Sequence, residues 1–212
     1  MMGRASRLKH NPDRDRYRLE RMRAPTKAYT PSATMTSQDL VTAAAFHEAG
    51  HVVAAIAVGL EVHFSTIRAD NRGHIDGYTE LIICSADEPE AATTPEMLRK
   101  RTVQALAGYL AEILVNHNHE DANEAAAGDA DKAARFAVMA MRPDPAEAPQ
   151  VVNRYLDERD QEARSLLLQH VPAINAIARY LFDHLNQDVS GEILKNLMVV
   201  PAAGMDTPGG EQ

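Results

Sequence analysis

The chain has 212 residues, 45% of them hydrophobic, a net charge of −8, no Trp and one cysteine. That length supports one well-filled core, and a lone cysteine, Cys84, excludes an intrachain disulfide, fits a reducing compartment and reads as a small buried hydrophobe. No unbroken apolar run approaches the roughly 18 residues of a membrane span, and no apolar stretch follows the charged N-terminus as a secretory signal requires, so a cytoplasmic protein without a membrane partner is expected.

Charge is divided unevenly. Residues 1–28 hold nine Lys+Arg against three Asp+Glu, whereas the remainder is acidic. Residues 1–35 are broken by Pro12, Pro25 and Pro31 and show no sustained period, so they read as a disordered basic arm ahead of a domain over 36–200. Such an arm is a solvated tail, and nucleic acid is not expected as a partner. Met35 stands just before the domain and is a candidate start of translation.

The first helix is expected to begin at Thr36, an N-cap with Asp39 three residues on, and to run to about Val58, where Gly59 offers a stop. Inside it stands His47-Glu48-Ala49-Gly50-His51, an H-E-x-x-H motif. On a helix the two histidines lie one turn apart on one face, so both imidazoles can bind one Zn²⁺ from the same side. Glu48 is one position past the first ligand and can serve instead as general base towards a water at the ion. With 9 histidines in the chain, composition alone gives about 0.03 such matches by chance. The flanks, Ala43 to Ala45 and Val52 to Val58, are almost wholly apolar and place the motif in a buried helix. Two imidazoles and a carboxylate buried without partners would be costly, and a metal removes that cost. Gly50 costs about 1 kcal/mol relative to Ala in a helix, so something is expected to approach the backbone there.

Two strands are expected next, Glu61 to Arg68 and His74 to Ile83, joined as a hairpin by Asp70-Asn71-Arg72-Gly73. His63 and His74 read as strand or turn residues rather than ligands. After an acidic loop, Thr94 and Pro95 open a second helix, with Leu98, Thr102, Leu106, Tyr109, Leu110 and Ile113 as its apolar stripe and Gly108 and Ala111 allowing close packing. A polar loop over 116–127 precedes a third helix opened by Gly128-Asp129-Ala130-Asp131 and running to about Met141. A fourth helix spans about Pro149 to Gln169, a fifth starts near Pro172, and a short sixth covers Ser190 to Leu197, followed by a flexible tail over 201–212. The fold class is therefore mainly α, about six helices with a small β-hairpin or sheet after the motif helix, an α+β arrangement.

Catalytic zinc takes three protein ligands and an open position. Beyond His47 and His51 the candidates are Glu112, His117, His119, Asp121, Glu124, Asp129 and Asp131. Glu112 could ligate or could hold a ligand imidazole by its other N–H. Asp129 sits at a helix start, where the fold can hold it rigidly, and Asp131 cannot face the same way. Spacing favours Asp129 without deciding.

Ala45 to Ala54, with His-Glu-Ala-Gly-His between apolar flanks, resembles the peptidase domain of the FtsH-type zinc metalloproteases. Val62 to Thr79, ending Gly77-Tyr78-Thr79, looks like that family's strand pair. Ala105 to Ile113 is similar to its Gly-x-Ala-Ala-Glu helix, Gly128 to Ala133 to its Asn-Asp-Leu-x-x-Ala segment, and Ser165 to Leu197 to its C-terminal helices. The likeness covers about residues 38–198. It implies one catalytic Zn²⁺, Asp129 as third ligand and Glu112 as a supporting residue. The chain departs from the family in having Gly128 where an asparagine is usual, and in a longer, more charged loop over 116–127. No G-x-x-x-x-G-K-[ST] occurs, so this chain is not expected to bind ATP, and the AAA ATPase module of that family would be a separate partner. Rings are common in the family, so a homo-oligomer is implied too.

The reading that follows is a stand-alone metalloendopeptidase with Glu48 as its catalytic base, cutting unfolded or flexible polypeptides. A non-catalytic zinc-bearing interaction module is the competing reading. An intact Glu48 argues against it, and a fourth ligand such as His117 or His119 would argue for it.

Overall fold

The computed structural model describes residues 36–82, 94–115 and 127–199; the N-terminal arm, Cys84, the candidates His117, His119, Asp121 and Glu124, and the C-terminal tail lie outside them. The fold is mainly α with a small antiparallel sheet. Helix α1 covers Ser37–Ala57. Thr36 and Asp39 cap it reciprocally: Thr36 Oγ1 accepts from the Asp39 amide at 3.2 Å, and the Asp39 carboxylate accepts from the Thr36 amide at 2.9 Å. Gly59, at φ 75°, ends it, and the Leu60 amide donates back to Ala55 O at 2.8 Å.

By length and composition α1 could cross a membrane, but 67% of its apolar stretch is buried inside the protein. It is the core helix, carrying Ala45, Ala49, Val52, Val53, Ala54 and Ala55 in the main hydrophobic cluster. Strands β1, Glu61–Ala69, and β2, Ile75–Ile82, form the expected hairpin. Asp70 Oδ1 accepts from the amides of Arg72 and His74 at 2.8 and 2.9 Å, and Gly73 takes the positive φ of 83° that closes the turn.

Helix α2 covers Pro95–Leu114, with Thr94 accepting from the Met97 amide at 3.2 Å. Of its expected stripe, Leu98, Thr102 and Leu110 are buried, and the other three are not. Leu106, Tyr109 and Ile113 are only partly buried, and Val103, Ala105, Ala107, Gly108 and Ala111 are buried with Leu98 and Leu110. Small residues set the contact because α2 lies very close to α1: a Cβ on Gly50 would stand 2.5 Å from Ala107 O and 2.6 Å from the Ala111 Cβ. The expected close approach at Gly50 is this helix crossing, and it leaves no room for alanine.

Helices α3, Ala127–Met141, α4, Ala148–Gln169, α5, Val171–Asp183, and α6, Gly191–Met198, match the expected order within a residue or so. Ala133 and Ala137 of α3, Ala105 of α2, and Val152, Tyr155 and Leu156 of α4 make a second apolar cluster. The Arg101 guanidinium also lies 4.1 Å over the Phe136 ring, joining α2 to α3. The hairpin becomes a three-stranded sheet, order β2-β1-β3, because β3, Val189–Ser190, pairs with Ser65 and Phe64. Two residues are too short for any period to register. The sheet leaves β2 at one edge, above α1.

Candidate metal centre

The motif histidines face α2 and α3 from the middle of α1. His47 and His51 are 8% and 5% exposed, and Glu48 between them is 4% exposed. Asp129 arrives from the first turn of α3. Its direction follows from packing: Ala133 and Ala137, four and eight residues on, are both fully buried, and Asp129 shares their face. Asp131 lies off that face and is exposed.

Three atoms meet in the centre. Asp129 Oδ2 lies 2.9 Å from His47 Nε2 and 3.0 Å from His51 Nε2, and the two Nε2 atoms are 3.1 Å apart. The opposite ring nitrogens are already engaged. His47 Nδ1–H donates to Glu112 Oε1 at 2.6 Å, and His51 Nδ1–H donates to the Gln104 carbonyl at 2.7 Å. Because both of those partners accept, a neutral imidazole must turn its Nε2 lone pair inward. With both imidazoles neutral, two lone pairs and a carboxylate oxygen converge with no donor among them, an arrangement that a shared proton or a metal ion relieves. Tetrahedral zinc with bonds of about 2.0–2.1 Å spaces its ligand atoms about 3.3 Å apart, close to the triangle observed. The buried cluster of His47, Glu48 and His51, whose donor atoms all lie within 4.8 Å of one another, could hold a metal ion.

No protein-family model and no curated protein matches this chain.

The supporting residues are specific. Glu112, buried on α2, stands behind His47 and does not face the converging atoms; it holds the ring's outer nitrogen. Gly108 clears the space: a Cβ there would lie 2.6 Å from both Nε2 atoms. Lys132 Nζ donates to Asp129 Oδ1 at 2.9 Å, leaving Oδ2 for the histidines. Glu48 turns towards the sheet, where Thr79 Oγ1 donates to its Oε2 at 2.6 Å. His63 is exposed on β1, and His74 is exposed in the turn, where Asp70 Oδ2 lies 3.0 Å from its Nδ1; His74 lines the cleft over the cluster without joining the cluster. A cleft of about 1150 Å³ opens over the cluster, lined on one side by β2 from Ile75 to Leu81 and on the other by Gln104, Lys132 and Phe136.

Electrostatics bind a proton where no cation sits. Burial opposes charge on His47, but the carboxylates of Asp129, Glu112 and Glu48 outweigh it and push the imidazole up to about 10. Burial works against the charged carboxylate of Asp129 as well, and His51 and His47 still hold it below the usual carboxylate range. The His47 contribution to metal-free stability is complete below 6.5, its ordinary value, and is lost as pH rises through about 10. That of Asp129 is present above its ordinary 3.8 and is lost as pH falls through its lowered value. Chelator-treated protein is therefore expected to melt at progressively lower temperature as pH rises from 6.5 towards 10. Because a metal must displace the same proton, the increase in Tm on adding zinc should grow over that range. Calorimetry with and without zinc checks both trends; a zinc increment that shrinks with pH would contradict them.

Proposed function

We propose that the protein is a zinc-dependent endopeptidase of FtsH-like type, acting on unfolded or flexible polypeptides. The observation that carries the reading is the convergence of His47 Nε2, His51 Nε2 and Asp129 Oδ2 beside a buried carboxylate, Glu48, at the floor of an open cleft. Two imidazoles and one carboxylate form the donor set of a catalytic zinc site with room for a further ligand. The likeness of His47 to His51, Ala105 to Ile113 and Gly128 to Ala133 to the FtsH-type peptidase domain supports the same assignment.

In this reading His47, His51 and Asp129 hold the ion, with Glu112 and Gln104 fixing the imidazoles. Zinc, when bound, supplies Lewis acidity, lowering the pKa of water towards about 7 and polarising a carbonyl. Glu48 takes the proton of the attacking water and delivers it to the leaving amine. Among the described residues no strand pairs with the outer edge of β2, so an extended substrate can add there by backbone hydrogen bonds. Such pairing selects chains that are already extended. These 212 residues carry no P-loop, and compact substrates would need to be unfolded by an ATPase before cleavage.

The test is casein hydrolysis by purified protein. Cleavage should disappear with a chelator and return with zinc; zinc-loaded protein that cuts no unfolded substrate would remove the peptidase assignment.

A further inference from the structure

The Glu48 carboxylate is held by the sheet, and the device that holds it lies outside the metal cluster. On a strand, residues two apart share a face. Gly77 and Thr79 of β2 both present that face to Glu48. A Cβ on Gly77 would collide with the Glu48 carboxylate, so the space of the missing side chain is where the carboxylate lies. Thr79 Oγ1 donates to Glu48 Oε2 at 2.6 Å. Ser65 sits directly opposite Thr79 in the β1–β2 register, is fully buried, and has its Oγ 2.9 Å from Thr79 Oγ1.

A hydroxyl has one proton to give. Thr79 gives its proton to Glu48, so Ser65 must donate to Thr79, and the order of the chain is Ser65 to Thr79 to Glu48. A cross-strand Ser–Thr pair commonly serves only to join two strands. Here the pair passes its terminal donor out of the sheet to a carboxylate on another element, and the length is that of a charge-assisted bond. One oxygen of Glu48 is thereby tied down. Among the described residues no donor engages Oε1, which lies against Gly77.

We propose that Thr79, buttressed by Ser65 and admitted by Gly77, is a positioning residue that fixes the Glu48 carboxylate for its work as a base. The same strand offers its outer edge to substrate, so one rigid element sets both the base and the chain it acts on. The catalytic consequence rests on the peptidase reading; the clamp itself does not.

The experiment compares zinc-loaded wild type with Thr79→Val, Thr79→Ser and Ser65→Ala, by kinetics and by crystallography. Thr79→Val is close to isosteric and lacks the hydroxyl. Its kcat on an unfolded substrate should fall about 10- to 100-fold, the scale of a misplaced reacting group, with KM and zinc content unchanged. Thr79→Ser keeps the donor and should stay within about 3-fold of wild type, and Ser65→Ala should lie between the two. In the Thr79→Val crystal structure the Glu48 carboxylate should leave β2. Wild-type kcat in Thr79→Val, or a Glu48 carboxylate unmoved in its structure, overturns the proposal. Should wild type cleave nothing, the peptidase reading falls, and the position of Glu48 in Thr79→Val still decides whether Thr79 holds it.

Discussion

Asp129→Ala is expected to lose zinc, and Asp131→Ala to keep it. Asp129 Oδ2 stands within 3.0 Å of both Nε2 atoms, whereas Asp131 is exposed on another face of α3. Removing the carboxylate leaves two neutral imidazoles from one helical turn, with no negative charge to complete the set. Loss of a residue that merely supports a ligand costs about 10- to 100-fold in affinity, so loss of the ligand itself should exceed about 100-fold. Competition with a chromophoric chelator gives the affinity, and metal analysis after dialysis gives the content. Lys132 separates two explanations. It donates only to Oδ1, so Lys132→Met should weaken zinc far less than Asp129→Ala. Zinc lost from Asp131→Ala and retained by Asp129→Ala would reassign the ligand.

Asp129 also marks what a sequence can disclose. The motif helix was legible because its signals are local: a reciprocal cap at Thr36 and Asp39, a glycine stop at Gly59 and a fixed spacing between His47 and His51. Asp129 and Asp131 are two residues apart in a helical start, and spacing alone ranks them weakly. What separates them is the stripe that continues from Asp129 through Ala133 and Ala137, small residues whose burial against α2 and α4 depends on tertiary packing. The stripe of α2 is legible at Leu98, Thr102 and Leu110 and fails at its other three positions for a related reason. Gly108 and Ala111 stand at the close crossing with α1 as their size suggests, together with Ala107, and the crossing is so close that Leu106, Tyr109 and Ile113 move to its flanks. Gly108 reads from the sequence as a packing residue; its second role, keeping a Cβ away from both imidazoles, arises only from the fold. Four partners, Lys132 among them, carry no signal in the sequence. Gln104 acts through a backbone carbonyl, which every residue has. Ser65 and Thr79 look like ordinary strand hydroxyls until the register sets them across from each other and beside Glu48.

Glu48→Gln is expected to abolish hydrolysis while leaving the zinc in place. The two side chains have nearly the same shape, and the amide oxygen of glutamine can still accept the Thr79 hydroxyl, so the clamp and the fold persist. The amide cannot take a proton at neutral pH. Positioned general bases contribute about 10²- to 10⁴-fold, and kcat should fall by that amount with substrate affinity little changed. Zinc content and thermal stability, measured beside the casein assay, identify the cause. Glu48 lies with His47 and His51 in the buried cluster, so it could instead serve as a ligand, and the two roles differ in outcome. A ligand converted to an amide would release zinc and activity together, whereas a base so converted loses activity alone. Full activity in a zinc-loaded Glu48→Gln protein would exclude Glu48 from the chemistry and leave its burial beneath β2 as a structural contact.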